Sequence, residues 1–360
     1  MNAHRLPPPL AGEGGGEGAS SSPSRDATAF HAGEIALQRR AGVHDRLAEI
    51  GDRVIRDHMP EQHRELFRKL PTLIVGSVDA ERRPWASILI GAPGFIRDPD
   101  AYRLRVAARP GYGDLLGTHL VPGASLGLLG LEPQTRRRNR MNGHVTALDD
   151  RGFEVRVEQS FGNCPQYIQA RTPSWIADAV MFAQPRPIEQ GDTHLSEAAK
   201  ALVGSADTFF IASAAAPTDD IRMPRNAGVD VSHRGGRPGF VRVDDTPQGT
   251  LLTVPDFRGN FFFNTLGNIA AHPHAGLLFI DYDGGGLLQL GGRALVIEGG
   301  DEVRRFEGAQ RLLRIVVERS VWSPGALPLR WSAPEPAAQL AATGVWHDTP
   351  QEGLAAELQC

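Results

Sequence analysis

The sequence predicts a mainly β protein with flanking helices, built as two tandem copies of one fold. Short β-rich apolar segments recur between Gly, Pro and Asp turns from Pro71 onward. The same succession of segments then returns in the second half, which is the mark of an internal repeat. A length of 360 residues is also long for one core and favours two domains plus tails.

Residues 1–28 are Pro, Gly and Ser with scattered charge and cannot bury apolar surface, so they are expected to be a disordered tail, or an upstream stretch that is not translated. From Phe30 to Leu70 the apolar positions Leu37, Val43, Leu47, Ile50, Val54 and Ile55 recur at roughly helical spacing, predicting a helical lead-in on the first barrel. TLIVGSVD, RPWASILIG and AYRLRVAA then read as strands, DLLGTHL as a short helix, and ASLGLLGL, RNRMNGHVTAL and GFEVRVEQSF as further strands. A helix is expected after Pro165, which suits a first-turn position. The first domain is therefore placed at 29–182 and a Pro-rich linker at 183–192. A helix capped by Ser196 opens the second domain, 193–321, with DTFFIASAA as its first strand. Residues 322–360, rich in Pro and Ala, are expected to be a partly ordered tail.

The repeat sets Arg83-Pro84 against Arg237-Pro238 and LLGTHL against TLGNIA. GLLGL at 127–131 matches GLLFI at 276–280, and NGHV at 142–145 matches GGRA at 291–294, in one shared register.

Composition narrows the function. A formal charge of -4 gives no electrostatic case for nucleic-acid or membrane partners. Two cysteines, Cys164 and Cys360, can neither build a disulfide framework nor supply a paired metal motif, which fits a reducing cytoplasm. No apolar run is long enough for a bilayer, and no signal-peptide core precedes the fold, so a cytoplasmic location is expected. His58 and His63 do not share a helix face, His272 and His274 read as a turn, and no metal site is expected.

One run carries the most chemistry. From Gly235 it reads GGRPGFVRV, then TLLTVPDFRGNFFFNTLGNIAAHPHAGLLFIDYDGGGLLQLGGRA up to Ala294. In Arg258-Gly259-Asn260, a glycine at a strand-to-helix turn admits a ligand close to the backbone. An arginine beside helix N-terminal amides makes an anion site suited to phosphate; a capped turn with a solvated arginine is the plainer alternative. Thr265 and Asn268 can add side-chain donors. Cys164 precedes Pro165 in a setting that lowers thiol pKa, although an inert buried cysteine explains it better. Arg136, Arg137 and Arg138 read either as a phosphate or carboxylate holder or as a charged hairpin.

The Gly235–Arg293 run closely resembles the flavin-binding strand–turn–helix–strand unit of the pyridoxamine 5'-phosphate oxidase-like split barrels. The stretch from HAGEIALQRRAG through HMPEQHRELF to SFGNCPQYIQAR resembles the N-terminal half of a bacterial tandem-barrel group in that family, sometimes fused to a ferredoxin-reductase-like module. No such module is expected within these 360 residues, whose two cysteines cannot ligate a cluster. The resemblance implies two tandem FMN-binding split β-barrels packed as an intramolecular pseudo-dimer, with FMN at their interface. It implies a phosphate end at Arg258, Gly259, Asn260, Thr265 and Asn268, and a ring end tuned by Arg242, Gln289, Ser87 and Asn163, with Gln166 and Tyr167 near by. The first copy has Tyr112-Gly113-Asp114 where the second has the Arg-Gly-Asn turn, so at most one complete phosphate site is expected. The implied function is an FMN-dependent oxidoreductase with a small-molecule substrate, reduced by NAD(P)H or a separate reductase; the resemblance leaves further dimerisation open. A non-enzymatic flavin- or haem-binding barrel is the alternative. No catalytic acid or base is named.

Overall fold

A computed structural model describes residues 29–176, 187–215 and 228–346; the N-terminal tail, part of the linker and the last residues of the C-terminal tail lie outside the described residues. The lead-in comprises α1 (Ala32–Arg40), α2 (His44–Val54) and α3 (Glu61–Lys69). The first barrel follows as β1 (Thr72–Val78), β2 (Pro84–Ile90), β3 (Ile96–Asp100), β4 (Arg103–Val106), α4 (Leu116–His119), β5 (Ser125–Glu132), β6 (Arg137–Asp149) and β7 (Gly152–Gly162). After β8 (Pro173–Trp175) and β9 (Glu189–Gly191), α5 (Glu197–Ser205) opens the second copy. It continues with β10 (Thr208–Ala214), β11 (Val229–Gly235), β12 (Arg242–Thr246), β13 (Gly249–Phe257), α6 (Asn264–Ala271), β14 (His274–Ile280), β15 (Leu287–Ile297), α7 (Asp301–Arg304) and β16 (Ala309–Ser323). β17 (Leu329–Trp331) pairs back onto β8.

The strand order proves the repeat. One sheet runs β2-β1-β5-β6-β7-β4-β3 and the other β11-β10-β14-β15-β16-β13-β12, the same path shifted into the second copy. The protein is thus two tandem split β-barrels, antiparallel throughout, with helices at their flanks. Alternation along β1 explains how they join. Leu73 and Val75 point into the first core with Phe67, Leu128 and Phe153, whereas Ile74 points out to an apolar layer shared with Phe210, Val231 and Leu278 of the second copy. A strand buried on both faces needs the near-continuous apolar run seen in TLIVGSV.

The interface is reciprocal: β5 packs on β11 as β14 packs on β2, the self-complementary arrangement of a two-fold pair. Two equivalent glycines allow it. A Cβ on Gly127 would lie 2.7 Å from the Val229 carbonyl oxygen, and one on Gly276 would lie 2.5 Å from that of Pro84.

Two expectations need correction. The lead-in does not pack on the first barrel alone: α3 does, but α1 crosses to α6 of the second. Part of the expected linker is strand, since β9 pairs with β16. The C-terminal segment touches both copies. Arg136 Nη2 pairs with Glu335 at 2.9 Å, and Trp346 Nε1 donates to the Phe240 carbonyl at 2.9 Å.

Candidate functional site

A cleft opens where the two barrels meet beside α6. The first barrel contributes Arg138 and Arg140 of β6 and the loop 163–167; the second contributes Ser232 and Arg234 of β11, the end of β13, the turn after it and the first residues of α6 and β16. Its cavity volume is about 130 Å³, within about 910 Å³ of free space that includes the open mouth.

Period-two alternation puts Arg138, Arg140 and Asn142 on one face of β6, opposite Asp230, Ser232 and Arg234 on one face of β11. Most of these charges are matched. Asp230 accepts from Arg140 Nη1 at 3.0 Å, Asn142 Nδ2 at 2.7 Å and Asn268 Nδ2 at 3.0 Å. Arg140 also donates to Ser232 Oγ, Arg234 pairs with Asp256, and Arg311 Nη1 lies 3.5 Å from the same carboxylate.

Arg138 differs. Its Nε donates to the Cys164 carbonyl at 2.8 Å and its Nη1 to the His233 carbonyl at 3.4 Å, and among the described residues no carboxylate pairs with it. Burial, with Arg140 and Arg234 beside it, pushes its pKa down to about 10. The buried amide nitrogen Nδ2 of Asn163, on the same lining, has no hydrogen-bond partner either. The cleft therefore holds unmatched positive charge and an unused donor.

The mouth is aromatic and strained. Tyr167, Phe261 and Phe263 adopt left-handed φ values of 61°, 63° and 62°, a region bulky residues avoid unless their surroundings fix them. The expected helix after Pro165 is not formed. The left-handed turn at Tyr167 instead stacks its ring on Phe257 at 5.1 Å, with its hydroxyl 3.4 Å from the Arg258 carbonyl. Arg311 lies over the Phe263 ring at 4.8 Å.

The residues singled out from sequence separate into three places. Gly259, Asn260, Thr265 and Asn163 line the cleft, as do Cys164, Gln166 and Tyr167. Thr265 donates to Ser232 Oγ at 3.0 Å, while Asn268 lies beneath the lining in the Asp230 network. Arg258 is exposed, off the lining, with its guanidinium 5.7 Å from the Phe261 ring centroid. Arg242 is remote from the cleft, on edge strand β12, bonded to Asp244 at 2.8 Å and lying over Trp346. An alternating strand shows which face a residue takes, not which edge its strand occupies.

Ser87 and Gln289 are brought together, but elsewhere. Strand pairing makes Ser87 the register equivalent of Ser232, and Gln289 that of Arg140. They form the two-fold-related crevice, where Gln289 Nε2 donates to the Ala86 carbonyl at 2.9 Å and lies 3.3 Å from Ser87 Oγ. In the same register Leu287 replaces Arg138, Leu89 replaces Arg234 and Trp85 replaces Asp230. Asp114 takes the Ser87 hydroxyl at 2.7 Å, the Trp85 indole N–H at 3.2 Å and the Leu116 amide at 2.9 Å. The second crevice is thus filled from within.

The sequence reading missed Arg140, Arg234, Ser232, Asp230 and Arg311. The signal was present in the repeat: laying RNRMNGHV on LLQLGGRA sets cations against Leu and Gln at inward positions of one strand. Among the described residues no cluster of His, Cys, Asp and Glu could hold a metal ion, and no helix is long and apolar enough to cross a membrane.

No family model matches the chain, and no curated protein matches it. Similar solved structures include a variant of HupZ from group A Streptococcus, 16% identical with a TM-score of 0.26, covering 35% of this chain and 96% of that one. HutZ, the haem storage protein of Vibrio cholerae, is 12% identical with a TM-score of 0.24, covering 36% and 95%. The motility inhibitor MotI/DgrA of Bacillus subtilis is 7% identical with a TM-score of 0.18, covering 69% and 87%. At these scores none of the likenesses bears on ligand or activity.

Proposed function

We propose that the inter-barrel cleft binds one FMN per chain, with the phosphate at Arg138, and that the protein is a flavin-dependent oxidoreductase acting on a small molecule. The observation that carries this reading is the half-buried Arg138 guanidinium, which opens on the cleft and which no carboxylate matches among the described residues. A cation partly withdrawn from water with no counter-charge is costly and favours an anion beside it. The unused Asn163 donor supports the same end, and Thr265 offers a hydroxyl close by. The cleft has room for a phosphate beside Arg138, and a planar ring suits the aromatic mouth.

Bound flavin would supply the redox chemistry. The chain's own part is to neutralise the phosphate, to orient the ring against Tyr167 and Phe257, and to keep the floor dry through the Asp230 network. Electrons would come from NAD(P)H or a separate reductase.

Haem is the competing ligand. His233 is the histidine on this lining, and it sits one residue out of phase with Ser232 and Arg234, its ring 5.8 Å from Phe210 in the inter-barrel layer. That placement disfavours an iron ligand in the cleft.

The test is an absorption spectrum of the purified protein followed by titration with FMN. A flavin band, or saturable quenching of flavin fluorescence at one equivalent per chain, is expected. A Soret band, two equivalents, or no response to FMN would overturn the reading. Bleaching of the bound flavin by NADH or NADPH then separates an enzyme from a flavin store.

A further inference from the structure

We propose that α1, which contributes no residue to the cleft lining, is a positioning element of the ligand site: Glu34 fixes Asn264 and Gln38 fixes the Phe261–Phe263 turn. This rests on the cleft being the FMN site proposed above.

The argument starts from an asymmetry. α3 and α5 occupy matching places before the two sheets, but among the described residues α1 and α2 have no counterpart before the second copy. α1 packs on α6, and Leu47 and Ile50 of α2 join Phe261 and Phe262 of the turn leading into it, on the side of the cleft whose cations are retained. Near α4, Tyr112 and Val121 stay exposed.

The contact is specific. α1 and α6 cross at two glycines: a Cβ on Gly33 would lie 2.3 Å from the Gly267 carbonyl oxygen, and one on Gly267 would lie 2.7 Å from the Glu34 amide nitrogen. This approach carries Glu34 under the start of α6. Its carboxyl accepts from the Asn264 side-chain amide and, at 2.8 Å, from the His31 backbone amide in a capping box. Asn264 lines the cleft. One turn further along α1, Gln38 Nε2 donates to the Phe262 carbonyl at 3.3 Å, between the two left-handed phenylalanines. Phe30 and Phe161 clamp the Phe262 ring at 5.4 and 6.0 Å. A turn holding two aromatic residues at positive φ needs such support.

The charged groups facing Glu34 are His31 on its own helix, Arg140 on β6 and Asp230 on β11. Burial and the Asp230 carboxylate hold the Glu34 carboxyl well above its usual range.

The experiment compares the full chain with Glu34→Ala, Glu34→Gln and Gln38→Ala. Amide exchange over residues 259–266 is measured without ligand, and FMN affinity by fluorescence quenching. Faster exchange at 259–266 is expected in Glu34→Ala and Gln38→Ala, with β13 and β16 still protected. FMN affinity is expected to fall about tenfold in Glu34→Ala, the effect of one buried hydrogen bond. Glu34→Gln, which can still complete a capping box, should recover to within about threefold of the parent. Unchanged exchange overturns the proposal whether or not FMN binds. Faster exchange with unchanged FMN affinity overturns it too, because α1 would then be only a structural brace. If the parent chain fails to bind FMN, the flavin reading falls while the exchange result still decides the role of α1.

Discussion

Replacing Arg138 by methionine separates a ligand-binding cation from a structural tie. Burial and two neighbouring arginines push the Arg138 pKa down to about 10. At about 1.4 kcal/mol per pKa unit, that displacement corresponds to roughly 3 kcal/mol of unfavourable placement, an upper bound because the side chain is partly open to the cleft. Against this stand its two bonds to the Cys164 and His233 carbonyls, each contributing about 1–1.5 kcal/mol. The opposing contributions nearly cancel, so Arg138→Met should move ligand-free stability by less than about 1 kcal/mol in urea unfolding. With a phosphate bound, the same cation gains a charge-assisted contact of about 1.5–3 kcal/mol. FMN affinity should therefore fall roughly 10- to 100-fold in a fluorescence titration. The same titration on Arg258→Ala should show a smaller loss, since that side chain is exposed and off the lining. A variant that loses more than about 3 kcal/mol of stability yet binds FMN normally when folded would refute the reasoning. Arg138 would then be a tie between barrels.

Two other outcomes follow from the packing. Gly127→Val and Gly276→Val should each destabilise the protein by about 1–3 kcal/mol or more, because the new Cβ meets backbone across the interface at 2.7 and 2.5 Å; thermal unfolding with either variant at parental stability would mean that the barrels do not meet there. Burial pushes His63 down to about 4, with Arg56, Arg137 and His58 adding to it, while the unfolded chain titrates near 6.5. The unfolded state then takes up a proton that the folded state refuses, so stability is full above pH 6.5 and falls by about 3 kcal/mol as pH drops to 4. Urea midpoints across that range should flatten in His63→Gln, and an equally steep slope in the variant would assign the acid loss to other groups.

The fold was legible in the sequence because its signals are local and repeated. Strand alternation, turn residues and the shared register of GLLGL with GLLFI locate the two copies without any tertiary knowledge. The site was legible only in part. Gly259, Asn260 and Thr265 sit on a turn and a helix start whose chemistry is local, and they line the cleft. Ser87, Gln289 and Arg242 required knowing which strand faces which barrel, and that is fixed by long-range pairing. The course of α1 was illegible for the same reason. Its apolar residues predict a helix, but the Gly33–Gly267 crossing that sends it to the second barrel appears only when both chains of residues are in place.

The two crevices also show how a tandem chain can specialise where a symmetric dimer cannot. In a homodimer any substitution enters both sites at once, because one sequence supplies both halves. Covalent duplication removes that coupling. On one side of this interface Asp114 takes the Ser87 hydroxyl, the Trp85 indole N–H and the Leu116 amide, so these three donors find their partner inside the protein. Leu89 and Leu287 occupy the positions of two cations, and nothing in that crevice calls for an anion. On the other side Arg138 has two carbonyl acceptors but, among the described residues, no carboxylate, and the Asn163 amide nitrogen has no acceptor. A guanidinium with no carboxylate and an amide nitrogen with no acceptor on one lining, against Leu287 and an internally paired Ser87 at the equivalent places, mark the first crevice as the ligand-dependent one. The asymmetry in satisfaction, more than any single motif, is what argues for one ligand per chain.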